Sequence, residues 1–180
     1  MFTLEERIKT FDRMVFPYVT DGFKQWLIDN GFFTAPASIN HHGKYEGALF
    51  DHSFAVAKLL CELTDSLELR WEREQSPAIV GMFHDLCKLD NYAVVSHDMG
   101  ETEQWEYNNA QILTGHGEKS VMMLQQHMDI TKEELMCIRW HMGAFEGEKI
   151  FNNYGRAVNE YPNVLWTHTA DMLAARVIGV

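Results

Sequence analysis

Residues 76–90 read SPAIVGMFHDLCKLD, and this stretch decides the fold. Ser76 followed by Pro77 predicts a capping residue with proline at the first helical position. The apolar run behind them predicts a short helix through Phe83 to about Leu86. His84 and Asp85 stand at the C-terminal end of that run. Neighbouring helical residues point about 100° apart. Both can still serve one site if the helix end faces it, and a carboxylate in that place can bridge two metal ions.

Outward from this stretch the chain reads mostly as helix. Positions 4–15 carry Ile8, Phe11 and Val15 at helical spacing. Thr20 and Asp21 predict the cap of a second helix running to about Ile28 and ended by Asn30-Gly31. A loop over 32–47 leads to a third helix over about 49–63, and the charged stretch SLELRWEREQ (66–75) predicts an exposed helix. Around residues 90–109 the helical period is lost. Residues 92–95 and 105–107 are strand formers, which predicts a small hairpin. Helix resumes over about 117–128. Thr131 with Glu134 forms a capping box that opens a helix to about Met142. A loop containing Gly143, Gly147 and Gly155 follows, and a last helix covers about 163–178. The expected fold is therefore all-α, a helical bundle with one small β-hairpin. We expect a single domain over 1–180, with N-terminal helices in 1–40 packed on a core in 41–180.

Composition narrows the function classes. The chain has 180 residues, of which 46% are hydrophobic and 23% charged, which suits a globular protein. No run approaches the roughly 18 apolar residues of a membrane span, and the mixed charges of 1–14 are unlike a signal peptide. We expect a cytoplasmic protein with no membrane partner. Its net charge of −11 opposes non-specific binding along nucleic acid. A small anionic substrate stays compatible, because bound divalent ions reverse the field locally. Cys61, Cys87 and Cys137 form no CxxC pair and read as reduced thiols.

The nine histidines matter by position. His52 lies in the apolar stretch GALFDHSFAVAKLL, His116 in TGHGEKS at an expected helix start, and His141 in IRWHMG at an expected helix end. A lone histidine on an apolar face is more often a satisfied core residue than a ligand. Asp171, between Ala170 and Met172, is costly to bury without a metal or an arginine. The ordered set is more specific than any member. His97, His127 and His168 read as surface or packing residues.

The set His52, His84-Asp85, His116, His141, Asp171 resembles the metal pattern of HD-domain metal-dependent phosphohydrolases. HHGKYEGALFDH (41–52) is similar to the HHxxYxGGLLxH signature of the HD domain of certain bacterial 3′-to-5′ exoribonucleases. HDLCK resembles their HDIGK, GHG recurs, and HTADMLAA resembles their closing helix. Cys87 stands where glycine is usual, and Met142 where a second histidine is usual. The resemblance covers roughly residues 40–178. It implies an HD-domain bundle with two divalent transition-metal ions (Fe, Mn, Ni, Co or Zn). One ion would take His52, His84, Asp85 and Asp171; the other would take His116, His141 and Asp85. Asp85 and Lys88 are the implied catalytic residues. Lys88, which shares the His84 face one turn on, and His42 and Tyr45 in the loop before His52 are the candidates for substrate contact. The implied activity is hydrolysis of a phosphomonoester, nucleotide or phosphodiester. A mixed-valent diiron oxygenase and a non-catalytic nucleotide-sensing domain remain alternatives on the same ligand order.

Overall fold

In the computed structural model, residues 2–39, 43–97, 102–113, 115–143 and 151–180 are described. Thr3 opens α1 (Leu4–Met14) with a reciprocal capping box to Glu6, which satisfies two backbone donors at once. A short 3₁₀ turn, Phe16–Tyr18, leads to α2 (Asp21–Asp29), capped by the Thr20 hydroxyl. Phe11, Phe23, Phe32, Phe33, Phe50 and Phe83 are buried and meet largely edge-on or tilted. This aromatic core receives α3 (Ala48–Leu67) and α4 (Ser76–Phe83). After α4 come a short α5 (Lys88–Asn91), then β1 (Tyr92–His97) and β2 (Thr102–Tyr107). The strands are antiparallel, with Tyr92 opposite Tyr107 and Val94 opposite Trp105. α6 (His116–Leu124), α7 (Lys132–Arg139), α8 (Phe151–Glu160) and α9 (Asn163–Leu173) complete the bundle, and a π-helical turn, Ala174–Ile178, follows. The mostly helical architecture and the hairpin match the expectation. No helix among the described residues is long and apolar enough to cross a membrane.

Two close approaches set the geometry that matters for the site. A Cβ on Gly81 of α4 would lie 2.3 Å from the Ala57 Cα of α3, and one on Gly117 of α6 would lie 2.1 Å from the Arg139 carbonyl of α7. Only glycine lets these helix pairs touch backbone to backbone. The first contact brings His52 beside His84, and the second brings the start of α6 beside the end of α7.

Four expectations are corrected. Residues 69–75 form no helix. α3 runs on to Leu67 and stops at Glu68, whose φ of 51° is left-handed. The segment then folds back through a bond from Trp71 Nε1 to Thr64 Oγ1 (2.9 Å) and through Arg73 to Glu134. Ser76 does not cap α4; it is the first helical residue, and its hydroxyl donates to Glu134 Oε1 (2.8 Å). Residues 151–160, expected as loop, are helix α8, with Ala157 buried and Tyr154 and Val158 against the core. Gly155 is accommodated because it faces open space. Finally, α6 ends at Leu124, where the chain turns so that His127 stacks on Phe23 (centroids 4.8 Å apart).

Candidate metal centre

Five elements deliver six side chains to one place. His52 comes from the second turn of α3, and His84 and Asp85 from the end of α4. His116 is the first residue of α6, His141 lies two residues beyond α7, and Asp171 sits in α9. His84 and His141 have fully buried side chains; Asp171 keeps 16% of its side-chain surface and His116 30%.

The imidazoles are oriented by backbone. Nδ1 of His84 donates to the Gly81 carbonyl (2.8 Å), Nδ1 of His141 to the Ile138 carbonyl (2.7 Å), and Nδ1 of His52 to Val180 O (3.0 Å). A carbonyl oxygen only accepts, so a hydrogen sits on each Nδ1 and Nε2 is the ring atom turned to the cluster. These Nε2 atoms converge. His52 Nε2 and His84 Nε2 are 3.3 Å apart. Asp85 Oδ2 is 3.6 Å from the first and 3.5 Å from the second. Asp85 Oδ1 is 2.7 Å from His116 Nε2 and 3.5 Å from His141 Nε2. Asp171 Oδ1 lies 3.1 Å from His52 Nε2 and 3.8 Å from His84 Nε2.

Charge balance in the cluster is tight. Burial pushes the Asp85 carboxyl up, but Lys88 and the His84 and His116 rings outweigh it and hold the group well below the ordinary carboxylate range. Lys88 Nζ is 2.6 Å from Asp85 Oδ2. Burial lowers its ammonium, but the charge and hydrogen bond of Asp85, with smaller help from neighbouring groups, raise it on balance. For His116, burial works downward, yet the bond to Asp85 and its charge win and push the ring up to about 10. Asp171 is held at about 2: burial raises it, and the His52 contact with the His84 and His141 rings lowers it further.

This donor set fits metal. Three groups, His52–His84–Asp85, His84–His141–Asp171 and Asp85–His116–His141, each bring ligand atoms within 4.8 Å of one another and can hold an ion. His141 Nε2 is buried with no hydrogen-bond partner among the described residues, the condition expected of a nitrogen aimed at a cation. Imidazole and carboxylate donors together suit Mn, Fe, Co, Ni or Zn.

The remaining expected residues are placed as follows. Lys88 lines the same cavity of about 300 Å³ as His52, Asp85, His116 and Asp171. Tyr45 does not line it. It lines a neighbouring cavity with Asp51 and Phe54, and burial together with Asp51 pushes its hydroxyl up to about 12. Asp51 is itself paired with Arg7 at 2.8 Å, so this corner ties α1 to α3. His42, with His41, lies outside the described residues.

Sequence reasoning missed several neighbours of the cluster. Tyr92, Tyr107 and Arg176 line the cavity together with Met142, the residue noted at the usual second-histidine position, and His168, expected as a surface or packing residue, donates from Nδ1 to the His141 carbonyl (2.7 Å). The π turn is the one signal for Arg176, since such turns gather at functional sites, and it is invisible in the sequence.

Compared with known proteins, the chain matches no protein-family model and no solved structure. It is 33% identical over 93 residues to a curated protein named dihydroneopterin 2′,3′-cyclic phosphate phosphodiesterase, from Methanocaldococcus jannaschii. The match takes in 49% of this chain and 36% of the relative, so the chain spans about a third of that protein's length.

Proposed function

We propose that the chain is a metal-dependent phosphohydrolase, acting on a small phosphoester with phosphodiesters as the preferred class, at a two-ion His/Asp centre. The observation that carries this reading is the division of Asp85: one oxygen faces His116 and His141, the other His52 and His84. A carboxylate shared between two histidine groups is the arrangement a bridging ligand needs. The name of the archaeal relative supports the phosphodiester class, as does the resemblance of HDLCK and GHG to HD-domain hydrolases.

In this reading His52, His84, Asp85 and Asp171 hold one ion, and His116, His141 and Asp85 the other. Bound there, divalent ions supply Lewis acidity and an acidified water. The protein's own groups do the rest. The backbone carbonyls at Gly81 and Ile138 keep the Nδ1 protons in place, so that Nε2 stays available. Lys88, fully protonated beside Asp85, offers its ammonium to a non-bridging phosphate oxygen as charge builds there. The net reaction adds water across one P–O bond: an oxygen joins phosphorus and the leaving oxygen takes up a proton.

Elemental analysis of untagged protein, paired with hydrolysis of bis(p-nitrophenyl) phosphate before and after chelation, tests this. Close to two transition metals per chain and chelator-sensitive turnover are expected. One metal removes the two-ion part of the reading. None after reconstitution, or turnover indifferent to chelation, overturns it.

A further inference from the structure

Lys119 is a buried lysine, 1% exposed, with no part in the chemistry above. Its ammonium donates to Asn91 Oδ1 (2.9 Å) and Gln111 Oε1 (2.8 Å) and lies 2.7 Å from Asp90 Oδ2. An ammonium has three hydrogens and accepts nothing. Both amide side chains must therefore turn their oxygens towards it and their NH2 groups away. Asn91 directs its NH2 to Cys87 Sγ (3.7 Å). Gln111 lines a cavity of about 220 Å³ with Asn91, Tyr107, Gly115, His116 and Lys119. Lys119 thus fixes Gln111 as a hydrogen-bond donor in that cavity, in an orientation that a solvated glutamine would not keep.

This cavity shares His116 and Tyr107 with the metal-centre cavity. Tyr107 pairs with Tyr92 across the hairpin, with ring centroids 5.5 Å apart. The wall leading away from Asp85 therefore offers a positively charged residue (Lys88), then a tyrosine pair, then a directed amide donor. We propose that the two cavities form one binding surface for a phosphoester carrying a planar aromatic heterocycle. The phosphoryl group sits at the His/Asp cluster, the ring lies against Tyr107, and an acceptor atom on the ring edge takes the Gln111 NH2. Only the placement of the phosphoryl end rests on the phosphohydrolase reading. Lys119 acts as a positioning residue, through Gln111.

Calorimetric binding of guanosine 3′-monophosphate and of glycerol 2-phosphate to the full chain tests the inference apart from turnover. The native protein is expected to prefer the nucleotide by about tenfold or more, the scale of base stacking on an aromatic side chain. Gln111→Glu keeps an acceptor for Lys119 but replaces the donor, and should erase most of that preference. Tyr107→Leu, at a half-exposed position, should reduce it at least threefold. A native ratio near one, or a ratio unmoved by both substitutions, overturns the inference. Ring-dependent affinity without hydrolysis of any phosphoester would sink the phosphohydrolase reading and keep this one. Hydrolysis without ring dependence would do the reverse.

Discussion

Helices α4 and α7 carry a buried carboxylate cluster at each end, and the two clusters differ in how fully they are answered. At the N-terminal ends stands Glu134. It accepts from Arg73 Nε (2.8 Å) and Nη2 (2.6 Å), from Ser76 Oγ (2.8 Å) and from the Thr131 backbone N–H (2.8 Å). Beside it, Glu133 accepts from the Glu72 backbone (2.7 Å) and from Asn163 Nδ2 (2.8 Å). Each of these donors carries its hydrogen on a known atom, so the network is closed and holds the helices in register. At the C-terminal ends stand His84, Asp85 and His141, where Lys88 and His116 answer Asp85 but His141 Nε2 is buried with no hydrogen-bond partner among the described residues. A saturated cluster stabilises a fold; a convergent, under-supplied one is built to receive something.

The sharpest way to break this contrast is Asp85→Ala. Metal content should fall to background and turnover by at least ~100-fold, more than the loss of a group that merely orients a ligand, while circular dichroism still reports a helical chain. Full metal content in this variant would mean that Asp85 is not shared between ions. At the other end, Glu134→Ala should do the opposite. Leaving Arg73 and the α7 cap unanswered should cost about 3 kcal/mol in chemical denaturation, with metal stoichiometry unchanged in the folded protein. If stability held and metal was lost, the two ends would have exchanged roles.

The pH response sharpens the contrast further. His116, at about 10, holds a proton at neutral pH that a ligand nitrogen must give up. Metal uptake should therefore release about one proton and tighten as pH rises towards 10. Titration calorimetry in buffers of different ionisation heat would read this directly. In metal-free protein the sign for stability is opposite. The His116–Asp85 contact contributes fully below the ordinary histidine value of ~6.5, and that contribution fades as pH climbs through about 10. The smallest effect belongs to Ser76→Ala, which removes one donor from Glu134 and should cost about 1 kcal/mol, with turnover unaltered.

What the sequence revealed follows the same division. Caps written in local text were legible: Thr20, and the Thr131–Glu134 box, both act as the pattern predicts. So were the hairpin and the six His/Asp positions, which the fold brings together although they are scattered from residue 52 to residue 171. Hidden were the features that arise only from contact across the chain. Ser76 looks like a cap but serves Glu134, fifty-eight residues on. Residues 69–75 carry helix-forming charges, yet Arg73 and Trp71 pull them into a turn. α8 hides behind Gly155 and a polar face, and its helix rests on Tyr154, Ala157 and Val158 packing inward. Tyr45 resembles a substrate contact by position alone, whereas its partner is Asp51. The donor role of Gln111 depends on a lysine that carries no motif.

The backbone contact between Gly81 and Ala57 has a consequence in time. α3 and α4 are near neighbours along the chain, so their docking closes a short loop and costs little entropy. His52, His84 and Asp85 can therefore meet early in folding. His141 and Asp171 must travel much farther along the chain before they arrive, and such distant pairings form slowly. An ion captured at the early stage would sit in half a centre and wait for the remainder. On the proposed two-ion reading, the order in which the chain folds would set the order in which the ion positions mature, with the position shared by His52 and Asp171, the members farthest apart along the chain, completed last.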